Sequence, residues 1–134
     1  MVHEGINAAR RNVGRSPLIW REDLAELARA HSDDMTKRNY FSHDTPEGLD
    51  PTDRLHEAGL SCRSGFSYGI AENIAIETSL SNPSVTATEA VAGWIGSPGH
   101  RENLLGIQYD ATGIGASFGV WQGYKAVYLT QVFC

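Results

Sequence analysis

Two of the five histidines stand in polar, turn-forming surroundings: His43 within Ser42-His43-Asp44-Thr45-Pro46, and His100 within Ser97-Pro98-Gly99-His100-Arg101. Such segments are where a fold commonly places functional side chains. Glu72 lies in the otherwise apolar run Ala71-Glu72-Asn73-Ile74-Ala75, where a carboxylate is costly unless it is paired or hydrogen-bonded, so a partner is expected. Two imidazoles and one carboxylate are the ligand set of many catalytic zinc sites, which keep one position open for water. Zinc is the cofactor this trio suits, with His43 and His100 as ligands and Glu72 as the candidate base. The three positions are far apart in sequence and lack His-Glu-x-x-His spacing. The competing reading is a structural hydrogen-bond network in which Glu72 fixes a histidine tautomer without metal.

The remaining chemistry-bearing residues point elsewhere. His3 and His56 sit among charged residues and are read as solvated, whereas His31 falls on an apolar helical stripe and is read as a hydrogen-bonded core residue. There is no Gly-x-Ser-x-Gly elbow, and Cys62 and Cys134 have no activating neighbour, so no nucleophile stands out. The glycines of TGIGASFG lack the Lys-Ser/Thr ending of a phosphate loop and are better explained by close packing or a bulge in a strand.

Helices and strands must bring these residues together. Val2, Ile6, Ala9 and Val13 recur at helical spacing up to Gly14, with Asn7 and Arg10 on other faces. Leu24, Leu27, Ala28, His31 and Met35 mark a second helix. Asp50-Pro51 opens a third that ends at Gly59, and a fourth runs from about Pro83 to Gly96 with Val85, Ala92 and Ile95 as its stripe and Trp94 beside them. Ser97-Pro98 repeats the cap-plus-proline signature and sets His100 in the first turn of a further short helix. TGIGASFG, a turn at Trp121-Gln122-Gly123 and YKAVYLTQVF read as an antiparallel hairpin. The Gly- and Ser-rich stretch from Cys62 to Leu80 holds AENIA as a strand or an extended loop. Helices first and strands late predict an α+β fold in which helices cover an antiparallel sheet.

With 134 residues and 41% hydrophobic content the chain, 1–134, is the size of one domain. The net charge of −5, with no basic cluster longer than Arg10-Arg11, argues against nucleic acid as a partner. No apolar run is long enough for a transmembrane segment, and Met1-Val2-His3-Glu4 lacks the basic flank and apolar stretch of a signal peptide. Cys62 and Cys134 admit two readings. They form a disulfide closing a loop of about 70 residues, valued at about 4 kcal/mol by chain entropy, or they are two buried thiols.

The succession INAAR, PLIW, LAELARAHSDDM, YFSHDTPEG, DRLHEAG, AENIA, WIGSPGHRENLL and YLTQVF spans nearly the whole chain and resembles the prokaryotic branch of the CAP superfamily, the cysteine-rich secretory, antigen 5 and pathogenesis-related proteins. The resemblance implies an α-β-α sandwich, an extracellular or cell-surface setting, and a cleft with two histidines and one or two glutamates that holds zinc in some members. His43 matches the first family histidine and Glu72 the glutamate of the Gly-Glu-Asn-like segment. Where other members carry a second glutamate this chain has Ser97, and where they carry a second histidine it has Tyr128; His100 is the candidate replacement. Glu89 is read as a surface residue. Three functions compete. One is a secreted or cell-surface binding module with a metal-holding cleft and a groove for a lipid, another small molecule or a surface component. The second is a zinc-dependent, peptidase-like hydrolase using Glu72 as base, and the third is a structural network. In the first, the loop from Ile76 to Val85 would shape selectivity.

Overall fold

The computed structural model describes residues 1–62 and 70–134; residues 63–69, which make up much of the Gly- and Ser-rich stretch, lie outside them. The elements run α1 (Val2–Asn12), β1 (Ile19–Trp20), α2 (Glu22–Arg38), α3 (Pro51–Glu57), β2 (Ala71–Glu77), α4 (Pro83–Gly96), α5 (Pro98–Leu105), β3 (Ala111–Trp121) and β4 (Tyr124–Phe133). AENIA is thus a strand, β2, and the expected hairpin is β3–β4. Its turn is made by Gln122 and Gly123, both at positive φ (50° and 84°), the geometry whose twist suits a two-residue hairpin.

The sheet has the order β1-β3-β4-β2. β3 and β2 flank β4 in antiparallel pairing, as expected from the late strands. The sheet is nevertheless mixed, because β1 pairs parallel with the start of β3. The chain between α1 and α2 passes this edge in extended form: Ile19 N–H donates to Asp110 O at 2.8 Å and Arg21 N–H to Thr112 O at 2.9 Å. Two residues are too few to carry a visible alternation, so the pairing leaves no mark in the sequence.

α2 covers one face of the sheet and α1, α4 and α5 cover the other, giving the α-β-α sandwich. α2 lies directly on β3. A Cβ on Gly113 would come 2.1 Å from Ala25 N, and one on Gly115 equally close to Arg29 N. The glycines of TGIGASFG therefore serve helix-on-strand contact. On the opposite face Ile6, Val91, Trp94, Leu104, Leu129 and Phe133 form the larger core cluster.

Two helices bury other faces than their sequences suggest. In α4 the buried stripe is Thr86, Ala87, Ala90, Val91 and Trp94, while Val85 is 39% exposed and Ala92 faces solvent. Small residues make this stripe, and the tryptophan at its end, donating Nε1–H to Ile74 O at 3.1 Å, sets the face. In α1, Asn7 and Arg10 are buried because their polar atoms find backbone partners. Arg10 donates to Ser16 O, Leu104 O and Gly106 O at 2.7, 2.9 and 3.0 Å, capping the C-terminal end of α5.

Cys62 and Cys134 are joined in a disulfide with Cα atoms 5.3 Å apart. It closes a span of 72 residues and fixes the end of β4 to the segment that follows α3. Of the two readings of these cysteines, the cross-link is the one realised.

Candidate functional site

His43 is carried by the segment between α2 and α3, and several contacts hold that segment in place. α2 stops at Asn39, which takes the left-handed conformation (φ 55°). His31 Nε2 lies 2.8 Å from Ser42 O and donates to it, one residue before His43. Arg38 binds Asp34 on its own helix and Glu47 across the loop, and Tyr40 O–H donates to Asp34 at 2.5 Å. Beside Arg38 the Glu47 carboxyl is pulled down to about 2. α3 follows, opened by a full capping box in which Asp50 and Asp53 exchange backbone and side-chain hydrogen bonds.

Glu72 is the second residue of β2. Its register opposite Val132 turns the side chain toward α2, where it is 1% exposed. Its expected partner is Arg54 of α3, whose Nη2 donates to both carboxylate oxygens, at 3.1 and 2.9 Å, and to His43 O at 2.8 Å. His43 Nδ1 lies 2.9 Å from Glu72 Oε1, and the His43 side chain keeps 46% of its surface in solvent. A buried carboxylate is thereby charge-paired with a guanidinium that is itself only 10% exposed. Arg54 Nε and Nη1 and His31 Nδ1 are buried and unpaired among the described residues.

His31 completes this layer from α2, with Nε2 3.9 Å from Glu72 Oε1. Burial holds its pKa below the ordinary histidine value, against the opposing pull of the Glu72 charge. It is the hydrogen-bonded core histidine expected from the apolar stripe. His3, in contrast, is more than solvated: its Nε2 meets Leu18 O at 2.9 Å and its ring packs on Trp20.

His100 approaches from the other layer. Ser97, expected to cap α5 through its hydroxyl, instead bonds His100 Nδ1 at 2.9 Å. Asn73, neighbour of Glu72 but pointing to the opposite face, donates to His100 O at 3.0 Å, and Asn103 donates to Asn73 Oδ1 at the same distance. These amides tie α5 to β2. The pKa of His100 is lowered, first by burial and then by the charge of His43. Among the described residues no three His, Cys, Asp or Glu side chains converge as a metal cluster. Glu89 lies exposed on α4, Tyr128 is buried against α2, and neither contacts His43, Glu72 or His100 through a side-chain hydrogen bond among the described residues.

Arg54 is the site residue that pattern reading missed. A buried carboxylate announces that it needs a cation, but nothing in the spacing singles out one arginine.

A concavity lies on the α1–α4 face. It is a groove of about 460 Å³ whose floor is Ile114, Ala116, Phe118, Val127 and Leu129, with His3 on its wall. Leu80 to Asn82, in the connection between β2 and α4, form one side together with Pro83 at the start of α4. Phe118 is 78% exposed there.

The comparisons agree with this architecture. Residues 3–133 match the family model described as CAP, the cysteine-rich secretory protein family. The chain is 35% identical over 122 residues to the uncharacterized protein YkwD of Bacillus subtilis, covering 90% of this chain and 43% of that protein. It is 36% identical over 109 residues to the uncharacterized membrane protein YlbC of the same organism, covering 81% and 28%. It thus spans less than half the length of these curated relatives. Among solved structures, an extracellular protein containing an SCP domain from Bacillus anthracis superposes with a TM-score of 0.71 at 31% identity, over 98% of this chain and 38% of that one. No helix among the described residues is long and apolar enough to cross a membrane. Sandwich, strand order and motif succession converge on one conclusion: the chain belongs to the cysteine-rich secretory protein (CAP) family, in its prokaryotic branch.

Proposed function

We propose that this CAP domain is an extracellular or cell-surface binding module with two recognition regions. One is the polar cleft around His43, Glu72 and His100, suited to a divalent cation such as zinc. The other is the apolar groove beside Phe118, suited to a lipid tail or similar apolar molecule. The observation that carries the reading is the commitment of Glu72: its carboxylate is buried and both oxygens accept from Arg54. A general base must reach its proton directly or through one water, which a carboxylate enclosed in this way is poorly placed to do. This counts against the peptidase-like alternative and favours binding over turnover.

The donor set fits a cation bound through two imidazoles. Both Nδ1 atoms are engaged, by Glu72 and by Ser97, and both Nε2 atoms make no hydrogen bond among the described residues. A carboxylate behind a histidine is the usual support for a metal-ligating ring. His43 and His100 would hold zinc, which would serve as a Lewis acid toward a donor atom of the bound partner. The apolar lining of the groove supports the second region, and the 80–83 segment there is the part of the predicted selectivity loop that meets a ligand.

Calorimetric titration of zinc into metal-stripped protein at neutral pH tests the cleft. Stoichiometric binding lost in both His43→Ala and His100→Ala, and at pH 5, is expected. Binding that survives both substitutions would reject the cleft as the cation site. A fluorescent fatty acid displaced by Phe118→Asp but not by His43→Ala tests the groove.

A further inference from the structure

The sheet ends on one side in a strand that is only partly paired. β1 covers β3 at Ala111 and Thr112 alone, and from Gly113 onward no strand among the described residues lies on that side. Ala111 exchanges backbone hydrogen bonds with Cys134, so the odd-numbered residues of β3 turn their N–H and C=O toward β4. Arg21 N–H reaches Thr112 O from the other side, so the groups of Ile114, Ala116, Phe118 and Val120 point out over the edge. Val120 O accepts there from Tyr128 O–H at 2.9 Å, which leaves it a second lone pair. Edge strands are commonly guarded by a charge, a proline or a bulge. This one has none: residues 111–124 include no Asp, Glu, Lys, Arg or Pro, and β3 runs against β4 in unbroken register from Thr112 to Trp121. Its side chains are bare as well, with Phe118 78% and Val120 57% exposed.

We propose that this edge is a self-association surface, on which β3 pairs antiparallel with β3 of a second copy of the chain to make one sheet across a two-fold dimer. What satisfies a row of outward N–H and C=O groups is an extended backbone, and three observations point to the chain's own. The first is charge. Two molecules of net charge −5 repel, and on the uncharged strip 111–124 they meet without setting like charges opposite each other. The second is register. β1 and Arg21 occupy the Thr112 end, so a copy fits toward the hairpin end. A two-fold axis at Gly119 then lays Phe118 and Val120 opposite Val120 and Phe118 of the second copy, outward groups facing outward groups as an antiparallel hydrogen-bonded pair requires. The third is side-chain fit. That register makes two cross-strand pairs of an aromatic with a β-branched residue, a favourable kind, out of exposed Phe118 and Val120. Association needs nothing bound in the cleft or the groove, so it stands apart from the readings of both.

The test is sedimentation of the lipid-free chain over about a hundredfold range of concentration, with amide hydrogen exchange at the upper end. A reversible dimer is expected, in which the Phe118 and Val120 amides exchange about tenfold or more slowly than in dilute monomer. Val120→Pro removes an N–H that the chain's own ladder does not use, and removes it twice in the dimer, so association should weaken about tenfold or more while the monomer stays folded. Val120→Thr keeps the N–H and the branched shape and should still dimerise. Phe118→Lys puts a charge on the strip at an exposed position and should leave monomer only, which serves equally should Val120→Pro fail to fold. A chain that is monomeric at every concentration would overturn the proposal. A dimer undiminished by Val120→Pro or by Phe118→Lys would do the same, since its contacts lie elsewhere, as would a loss in Val120→Thr as complete as in Val120→Pro. Protection of the two amides by an added peptide of alternating valine and threonine, in protein that remains monomeric, would overturn it in favour of a peptide partner.

Discussion

The polar cluster around Glu72 and the apolar groove lie on opposite faces of the same sheet and are built by different physics. In the cleft, four side chains from three elements and a loop, His31, His43, Arg54 and Glu72, hold one another by charge and directed hydrogen bonds. Burying the Glu72 carboxylate is tolerable only because Arg54 is there, so the cleft is specific and fragile. The groove needs no such partners. Its floor is the outward side of β3 and β4, and residues such as Phe118 are exposed because α1 and α4 cover only part of that face. A polar site fails when one member is lost, whereas an apolar one loses affinity in proportion to the area removed.

The most disruptive way to break the comparison is to remove the cation. Arg54→Met should cost about 3–5 kcal/mol in urea unfolding, because it strands a buried carboxylate. Much of that should return in the double variant with Glu72→Gln, whose neutral amide needs no counter-charge. Near-additive losses would mean that the pair is not coupled. Reduction of Cys62–Cys134 comes next, with an expected loss of about 2–4 kcal/mol. Because the bond fixes the end of β4 and the segment before β2, hydrogen exchange should rise first around 70–73, including Glu72, and later at the groove strands. Faster opening at 114–118 than at 70–73 would reverse that order.

Acid should act on the cleft side. The folded-state values of His31 and His100 are lowered, so the unfolded chain takes up protons first. Their contribution is present above the unfolded value near 6.5 and is lost as pH falls through the lowered folded values. Melting temperature should therefore drop between pH 7 and pH 5, and less so in His31→Gln. An identical drop in that variant would remove His31 from the cause. The smallest effect is expected at the groove: Phe118→Ser should change stability by no more than about 0.5 kcal/mol, since the ring is already exposed, while weakening uptake of an apolar probe.

Much of the frame was legible in the sequence. Apolar periodicity marked the helices, Asp50-Pro51 marked the start of α3, and alternation with a Gln-Gly turn marked the hairpin, because these are local effects of backbone geometry. The oddity of a carboxylate in AENIA also announced that Glu72 would be paired. The faces buried by α1 and α4 were misread because Asn7, Arg10 and Thr86 are polar in type yet satisfied in place. Burial follows the partners a residue finds, and those are distant in sequence.

What the sequence by itself determined, then, is the five helices and the late hairpin, the family, and the residues whose chemistry asks for company: His43, Glu72 and His100. Only the tertiary structure decided what company they keep. It chose Arg54 as the counter-charge, gave Ser97 to His100 instead of to the helix end, joined Cys62 to Cys134, and laid α2 onto Gly113 and Gly115. The physical reason is range. Propensity and periodicity act over a few residues, whereas a salt bridge or a disulfide joins positions 18 or 72 residues apart, which only the folded chain brings within reach.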